Sequence, residues 1–144
     1  MAKIHKDKDF LSQIPEFEAE YKKSDEAIID FEKQEWKTAT ASFTNHDLRI
    51  LGEPVMEDWE TPYMKELADI ACKNGGIILE LGFGMGISAN FIQENAITKH
   101  IIDEANHNVA EKARAFGKIA KYKVEVLEGF WEEVIDQIPN ESVD

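Results

Sequence analysis

Gly82, Gly84 and Gly86 stand directly after the apolar run Ile77-Ile78-Leu79-Glu80-Leu81 and directly before helical spacing that resumes at Ile87. Glycines there let the backbone turn sharply and let a ligand lie against the main chain. Glu104 follows 20 residues beyond Gly84, closing a second predicted strand, where a carboxylate can accept hydrogen bonds from both hydroxyls of a ribose. A glycine turn with an acid at that distance predicts a site for an adenosine-containing ligand. The competing reading is an ordinary strand-to-helix turn with an exposed glutamate, which leaves the spacing to coincidence.

The glycine spacing narrows the ligand. Gly-x-Gly-x-Gly is not the Gly-x-Gly-x-x-Gly of dinucleotide sites, and no lysine–hydroxyl pair of the phosphate-cradling kind follows it. Residues 1–76 precede the first predicted parallel strand, enough chain for a lid. A ligand with a ribose and no pyrophosphate, S-adenosylmethionine, fits this combination best. Its sulfonium is a cation, for which Trp36, Trp59, Met64 and Trp131 offer polarizable or aromatic surface, although burial in a core is the default for such side chains.

The elements that must position these residues follow from apolar periodicity. Trp59, Tyr63, Leu67 and Ile70 make one stripe of a helix ended by Asn74-Gly75-Gly76. Ile77–Leu81, His100–Asp103 and Tyr122–Leu127 read as short buried strands. Ile87–Gln93, Val109–Phe116 and the amphipathic stretch Trp131–Ile138 read as helices. Strand, helix, strand, helix, strand, helix predicts an α/β fold, a parallel sheet with flanking helices. Residues 1–36 hold six Lys and ten Asp or Glu. Phe10, Ile14, Phe17, Tyr21 and Ile28 recur there at helical intervals. Pro15 and the Ser24-Asp25-Glu26 start predict two short helices, a charged helical extension to a domain over 37–144. Thr38–His46, rich in small and hydroxylated residues, reads as a flexible connection.

Composition excludes several function classes. The 144 residues are 43% hydrophobic and 31% charged, a globular balance with core enough for one domain. With 29 acids against 16 Lys and Arg the net charge is −13, a field that repels nucleic acid and anionic membrane and draws in a small cation. Cys72 alone excludes an internal disulfide and suits a cytoplasmic setting. The start lacks the apolar stretch of a signal peptide, and nothing has the length of a membrane span. His5, His46, His100 and His107 show no metal-ligand spacing, so no metal is expected. The acids of Glu125–Asp136 read as a solvated helix face.

Three blocks resemble the guanidinoacetate N-methyltransferase family over about residues 36–144. They are Asp47–Met64, containing Val-Met-Glu-Asp-Trp-Glu-Thr-Pro-Tyr-Met, then Leu79-Glu80-Leu81-Gly82-Phe83-Gly84-Met85, then Gly129-Phe130-Trp131-Glu132-Glu133-Val134. The resemblance implies a class I (Rossmann-like) methyltransferase fold and methyl transfer from S-adenosylmethionine to a guanidino nitrogen of a small molecule. Relatives of that family methylate arginine side chains. It implies cofactor contacts at Trp36, Met56 and Met64 and along the turn from Gly82 and Phe83 through Gly84, Met85, Gly86 and Ile87 to Ser88. Further contacts are implied at Glu104, Ala105, Asn106, Trp131 and Glu132. Glu60 is implied as the carboxylate that grips the guanidinium, its position being equally that of a helix N-terminal acid.

Gly86 and Ala105 are smaller than the residues usual in that family, and Asp103 stands where an apolar strand residue is expected. The family's second substrate carboxylate would lie past Asp144. The sheet is therefore expected to be cut short before a fourth strand, with an exposed edge open to a partner or a second copy. A non-catalytic interaction module built on that incomplete fold is the alternative.

Overall fold

The computed structural model describes residues 15–144, the side chains of 15–22 and of Asp25 excepted. In chain order the elements are α1 (Pro15–Thr38), β1 (Ala41–Phe43), β2 (Asp47–Ile50), β3 (Glu53–Glu57), a 3-10 turn (Asp58–Glu60) and α2 (Thr61–Ala71). There follow β4 (Ile77–Leu81), α3 (Ile87–Glu94), β5 (Lys99–Glu104), α4 (His107–Ile119), β6 (Lys123–Glu128), α5 (Trp131–Val134) and a 3-10 turn (Ile135–Gln137). Two compact units divide the chain, Met1–Glu35 and Trp36–Asp144. Helix α1 runs unbroken through Ser24, so the second helix start expected there does not form. Phe10, Ile14 and the side chains of Phe17 and Tyr21 lie outside the described residues.

The predicted parallel sheet is present, in the order β4-β5-β6. Ile77 pairs with Lys99 and Leu81 with Asp103, while Lys99 pairs with Lys123 and Glu104 with Glu128. The central strand β5 is covered on both faces, so His100, Ile101 and Ile102 are all buried without alternation, whereas β6 alternates along residues 123–126. Burying Ile102 completely contributes on the order of 1.5–3 kcal/mol relative to leaving it exposed. It packs with Phe83, Ala89, Val109 and Ala113, and with Leu48 and Ile50 from the preceding segment. A second cluster joins Ala68 and Cys72 to Ile78, Ile92 and Ile97. The edge of β4 that faces away from β5 meets Asp144, whose N–H donates to the Ile77 carbonyl at 2.9 Å and whose Oδ2 accepts from the Ile77 N–H at 2.8 Å.

Two readings of the sequence are corrected. The stretch expected to be flexible contains β1, the first strand of an antiparallel meander β1-β2-β3. Its hydroxylated residues fasten a tight turn instead: the Asp47 N–H donates to Thr44 Oγ1 at 2.9 Å. Leu51 (φ 53°) and Gly52 (φ 79°) then make the two-residue hairpin between Ile50 and Glu53, the positive-φ pair that matches strand twist. The stripe Trp59, Tyr63, Leu67 and Ile70 is exposed, from 43% at Leu67 to 71% at Trp59. The packed face of α2 carries Ala68, with Cys72 following at the C-cap. Helical spacing reveals that residues share a face, and it does not say whether that face is covered.

Asp103 is the strained member of the sheet. It is 5% exposed, its Oδ1 has no hydrogen-bond partner among the described residues, and its register neighbours are Leu81 and Leu127. Burial, reinforced by the nearby Glu104, Glu132 and Glu133 carboxylates, raises its pKa from 3.8 to about 6. The folded chain therefore holds a proton that the unfolded chain has released between about pH 4 and pH 6. Stability falls as pH rises through that window, and the penalty is complete above it. Asp103→Leu is expected to raise the unfolding free energy at pH 8 by an amount on the order of 1–3 kcal/mol, seen as a higher melting temperature, with the gain shrinking toward pH 4. Thermal melts of both proteins across that range measure it, and a gain independent of pH contradicts the assignment.

Candidate functional site

The loops at the C-terminal ends of β4, β5 and β6 carry most of the residues singled out in the sequence, the place where open parallel sheets bind ligands. After β4 the chain turns through Gly82, Gly84 and Gly86, each with positive φ. Two of them are required by close approaches as well. A Cβ at Gly84 would meet Met56 Cε at 2.8 Å, and one at Gly86 would meet the Phe83 ring at 2.8 Å. The Met85 N–H points at Met56 Sδ, 3.3 Å away. The Phe83 ring is buried and lies 5.5 Å, centroid to centroid, from Phe116 of α4. The turn is thus pinned from the meander side by Met56 and from below by its own phenylalanine.

Glu104 reaches the turn. Its Oε2 accepts the Phe83 N–H at 2.9 Å and its Oε1 accepts the Asn106 N–H at 2.9 Å, with the residue 8% exposed. Backbone amides solvate the buried carboxylate through charge-assisted hydrogen bonds. A carboxylate has about four acceptor positions, so two remain for hydroxyl donors. Asn106 itself is occupied by the fold. It is fully buried, its Nδ2 donates to the carbonyls of Trp36 (2.8 Å) and Ala39 (2.9 Å), and its Oδ1 caps α4 at the Val109 N–H. The Asn106 side chain serves this capping role, which anchors the segment carrying Trp36 beside Ala105.

A second set of residues lines a cleft of about 300 Å³ between α2 and the end of β4: Met56, Met64, Leu67, Glu80, Gly82 and Ser88. Met56, Met64, Gly82 and Ser88 were all singled out in the sequence. Glu80 was not. Its Oε1 accepts the Ser88 hydroxyl, and its Oε2 lies 2.9 Å from Nε2 of the fully buried His100. The signal available was a lone charge inside the apolar strand Ile77–Leu81. Ile87 opens α3 immediately after Gly86.

The remaining sites stand elsewhere. Glu60 is half-buried at the start of α2, and its Oε2 accepts the Glu57 N–H at 2.9 Å, so half of its carboxylate serves the local turn. Trp131, 52% exposed, and Glu132 open α5 beyond β6. His107, which carried no metal-ligand pattern in the sequence, groups with Glu111 and Glu128. Arg114 pairs with both acids, so a guanidinium already occupies that cluster. No described helix is long and apolar enough to cross a membrane.

Comparison with known proteins bears on this geometry. The family model for guanidinoacetate N-methyltransferase matches residues 23–144, reaching back into the helix that the sequence resemblance left out. Protein arginine N-methyltransferase 2 of Candida glabrata is 42% identical over 92 residues, covering 61% of this chain and 22% of that protein. The proteins of the same name from Kluyveromyces lactis (88 residues) and Saccharomyces cerevisiae (90 residues) are each 40% identical, covering 58% of this chain and 22% of each relative. The chain thus spans about a fifth of the length of these curated relatives.

The contact between Met56 and Gly84 yields a test. Gly84→Ala places a methyl group both at positive φ and against Met56, so it is expected to cost about 2–4 kcal/mol in urea unfolding. In a Met56→Ala background only the backbone strain of about 1 kcal/mol should remain. Equal costs in the two backgrounds contradict the contact.

Proposed function

The chain belongs to the guanidinoacetate N-methyltransferase family, and we propose that it builds the S-adenosylmethionine-binding part of an N-methyltransferase whose acceptor is a guanidino nitrogen. The observation that carries this reading is Glu104, a buried acid held by two backbone amides beside the glycine turn. The residues present fit the cofactor. Glu104 retains acceptor capacity for two ribose hydroxyls, and Met56, Met64, Gly82 and Ser88 line one cleft. Trp131 and Glu132 follow the next strand end and supply an exposed aromatic face and an acid for the adenine side. When bound, S-adenosylmethionine supplies a methyl group on a cationic sulfur.

The chain's own residues would contribute binding and proton handling. A protonated guanidinium is a poor nucleophile, because its pKa lies above about 12 and its lone pairs are delocalised. A carboxylate that holds one of its N–H groups both fixes the plane and accepts the proton released when a new N–C bond forms. Glu60 is the residue for that task. Its Oε2 is held by the Glu57 amide, which fixes the side chain and leaves Oε1 to receive the guanidino N–H. The net charge of −13 favours capture of such a cation.

Among acceptors, a protein arginine is favoured over free guanidinoacetate, because the curated relatives reported above are named as protein arginine N-methyltransferases. Radiolabelled methyl donor offered with an arginine peptide or with guanidinoacetate separates the two, and label only in creatine reverses the order.

Two further outcomes test the site. S-Adenosylhomocysteine is expected to bind in calorimetry and to raise the melting temperature, and Glu104→Ala to weaken binding at least tenfold while the variant still unfolds cooperatively in urea. No heat and no thermal shift at millimolar ligand contradicts the cofactor reading. Glu60→Gln is expected to keep S-adenosylhomocysteine affinity within about twofold while methyl transfer falls by 100-fold or more. Unchanged transfer removes Glu60 from the mechanism.

A further inference from the structure

Beneath the cleft runs a buried chain of polar groups whose donor and acceptor roles are dictated by one backbone amide. The Tyr122 N–H, at the entry to β6, donates to Gln93 Oε1 at 2.7 Å. An amide N–H can only donate, so the oxygen of Gln93 is identified and its Nε2 must face His100 Nδ1, 3.3 Å away. Nε2 of an amide is itself only a donor. His100 Nδ1 is therefore the acceptor, and the single imidazole proton sits on Nε2, directed at Glu80 Oε2 at 2.9 Å. The other oxygen, Oε1, receives the Ser88 hydroxyl. Gln93 and Glu80 are each 8% exposed and His100 is not exposed at all, so solvent does not supply alternative partners.

Both Glu80 oxygens are thus held by side-chain donors, and the carboxylate lies on the wall of the cleft. We propose that His100 is a positioning residue. With Gln93 locking its tautomer, it holds the Glu80 carboxylate in the one orientation that binds the positively charged end of the ligand in the cleft. This deepens the methyl-donor reading and rests on it.

Titration with two ligands tests the proposal. S-Adenosylhomocysteine carries an ammonium group; 5′-methylthioadenosine shares its adenosine and thioether but lacks the amino-acid end. His100→Leu is expected to weaken S-adenosylhomocysteine at least tenfold and 5′-methylthioadenosine less than twofold. His100→Gln, which can present an amide N–H toward Glu80, is expected to recover most of the loss. Equal loss for both ligands, or no loss for either, overturns the proposal, since a merely structural histidine would not discriminate between them. Nitrogen-15 spectra of the parent chain at pH 7 test the tautomer without ligand and without substitution. A neutral ring protonated on Nε2 is expected; protonation on Nδ1 or on both nitrogens overturns it. If the parent binds neither nucleoside, the methyl-donor reading falls, and the spectra alone decide whether the relay exists.

Discussion

A single carboxylate ties the two loops on which the site is built. Glu104 ends β5, yet its oxygens are bonded to the amide after Gly82 and to the amide of Asn106. An acid 8% exposed would be costly without such partners, since burial of an unpaired charge is among the least favourable events in folding. With them, the turn after β4 and the entry to α4 cannot move independently. The fold supports this from both sides: Phe83 is buried beneath the turn and Asn106 fastens α4 to the carbonyls of Trp36 and Ala39. Function is read from the same contact, because an acid held only by main-chain donors keeps one orientation and has acceptor positions left over.

The parallel sheet was legible because short apolar strands alternate with helical spacing along the chain, with β5 buried almost throughout. Ile77–Leu81 in the sequence is Ile77–Leu81 in the structure, β5 extends the predicted His100–Asp103 by one residue at each end, and β6 lies one residue further along than the predicted Tyr122–Leu127. The glycine turn was legible for a related reason: positive φ at three alternating positions has few solutions in sequence. The meander was not. Its strands are three to five residues long, too short for alternation to stand out, with Leu48 and Ile50 as the only buried pair. The Leu51-Gly52 hairpin was the available signal, and it requires reading a non-glycine residue at positive φ. The end of the chain also departed from its pattern, since the expected helix over Trp131–Ile138 is four helical residues followed by a 3-10 turn.

Residues of the site were legible where a motif constrains the backbone, and hidden where side chains find one another across strands. Glu104 has a fixed distance from the glycines because one crossover helix separates them. Glu80, Gln93 and His100 come from β4, α3 and β5, and no periodicity in one segment reports a hydrogen bond to another. Asn106, a ligand contact implied by the family resemblance, has a side chain that caps α4 and donates to two carbonyls, a role that no motif announces and that depends on which partners the fold brings together.

Glu80 and Glu104 point to the same face of the sheet, because Glu80 is in register with Ile102 and Ile102 and Glu104 lie two residues apart on β5. They are held by different means. Glu104 is fixed by main-chain amides, which neither titrate nor change with substitution. Glu80 is fixed by Ser88 and His100 side chains, each of which one substitution can remove. On the proposed reading, recognition at the Glu104 end follows from the backbone path, whereas recognition at the Glu80 end follows from side-chain identity at positions 88, 93 and 100. Two acids of the same type on one face would then divide the work between a rigid contact and a tunable one, and only the second would let sequence change adjust the affinity for a cation without displacing the turn.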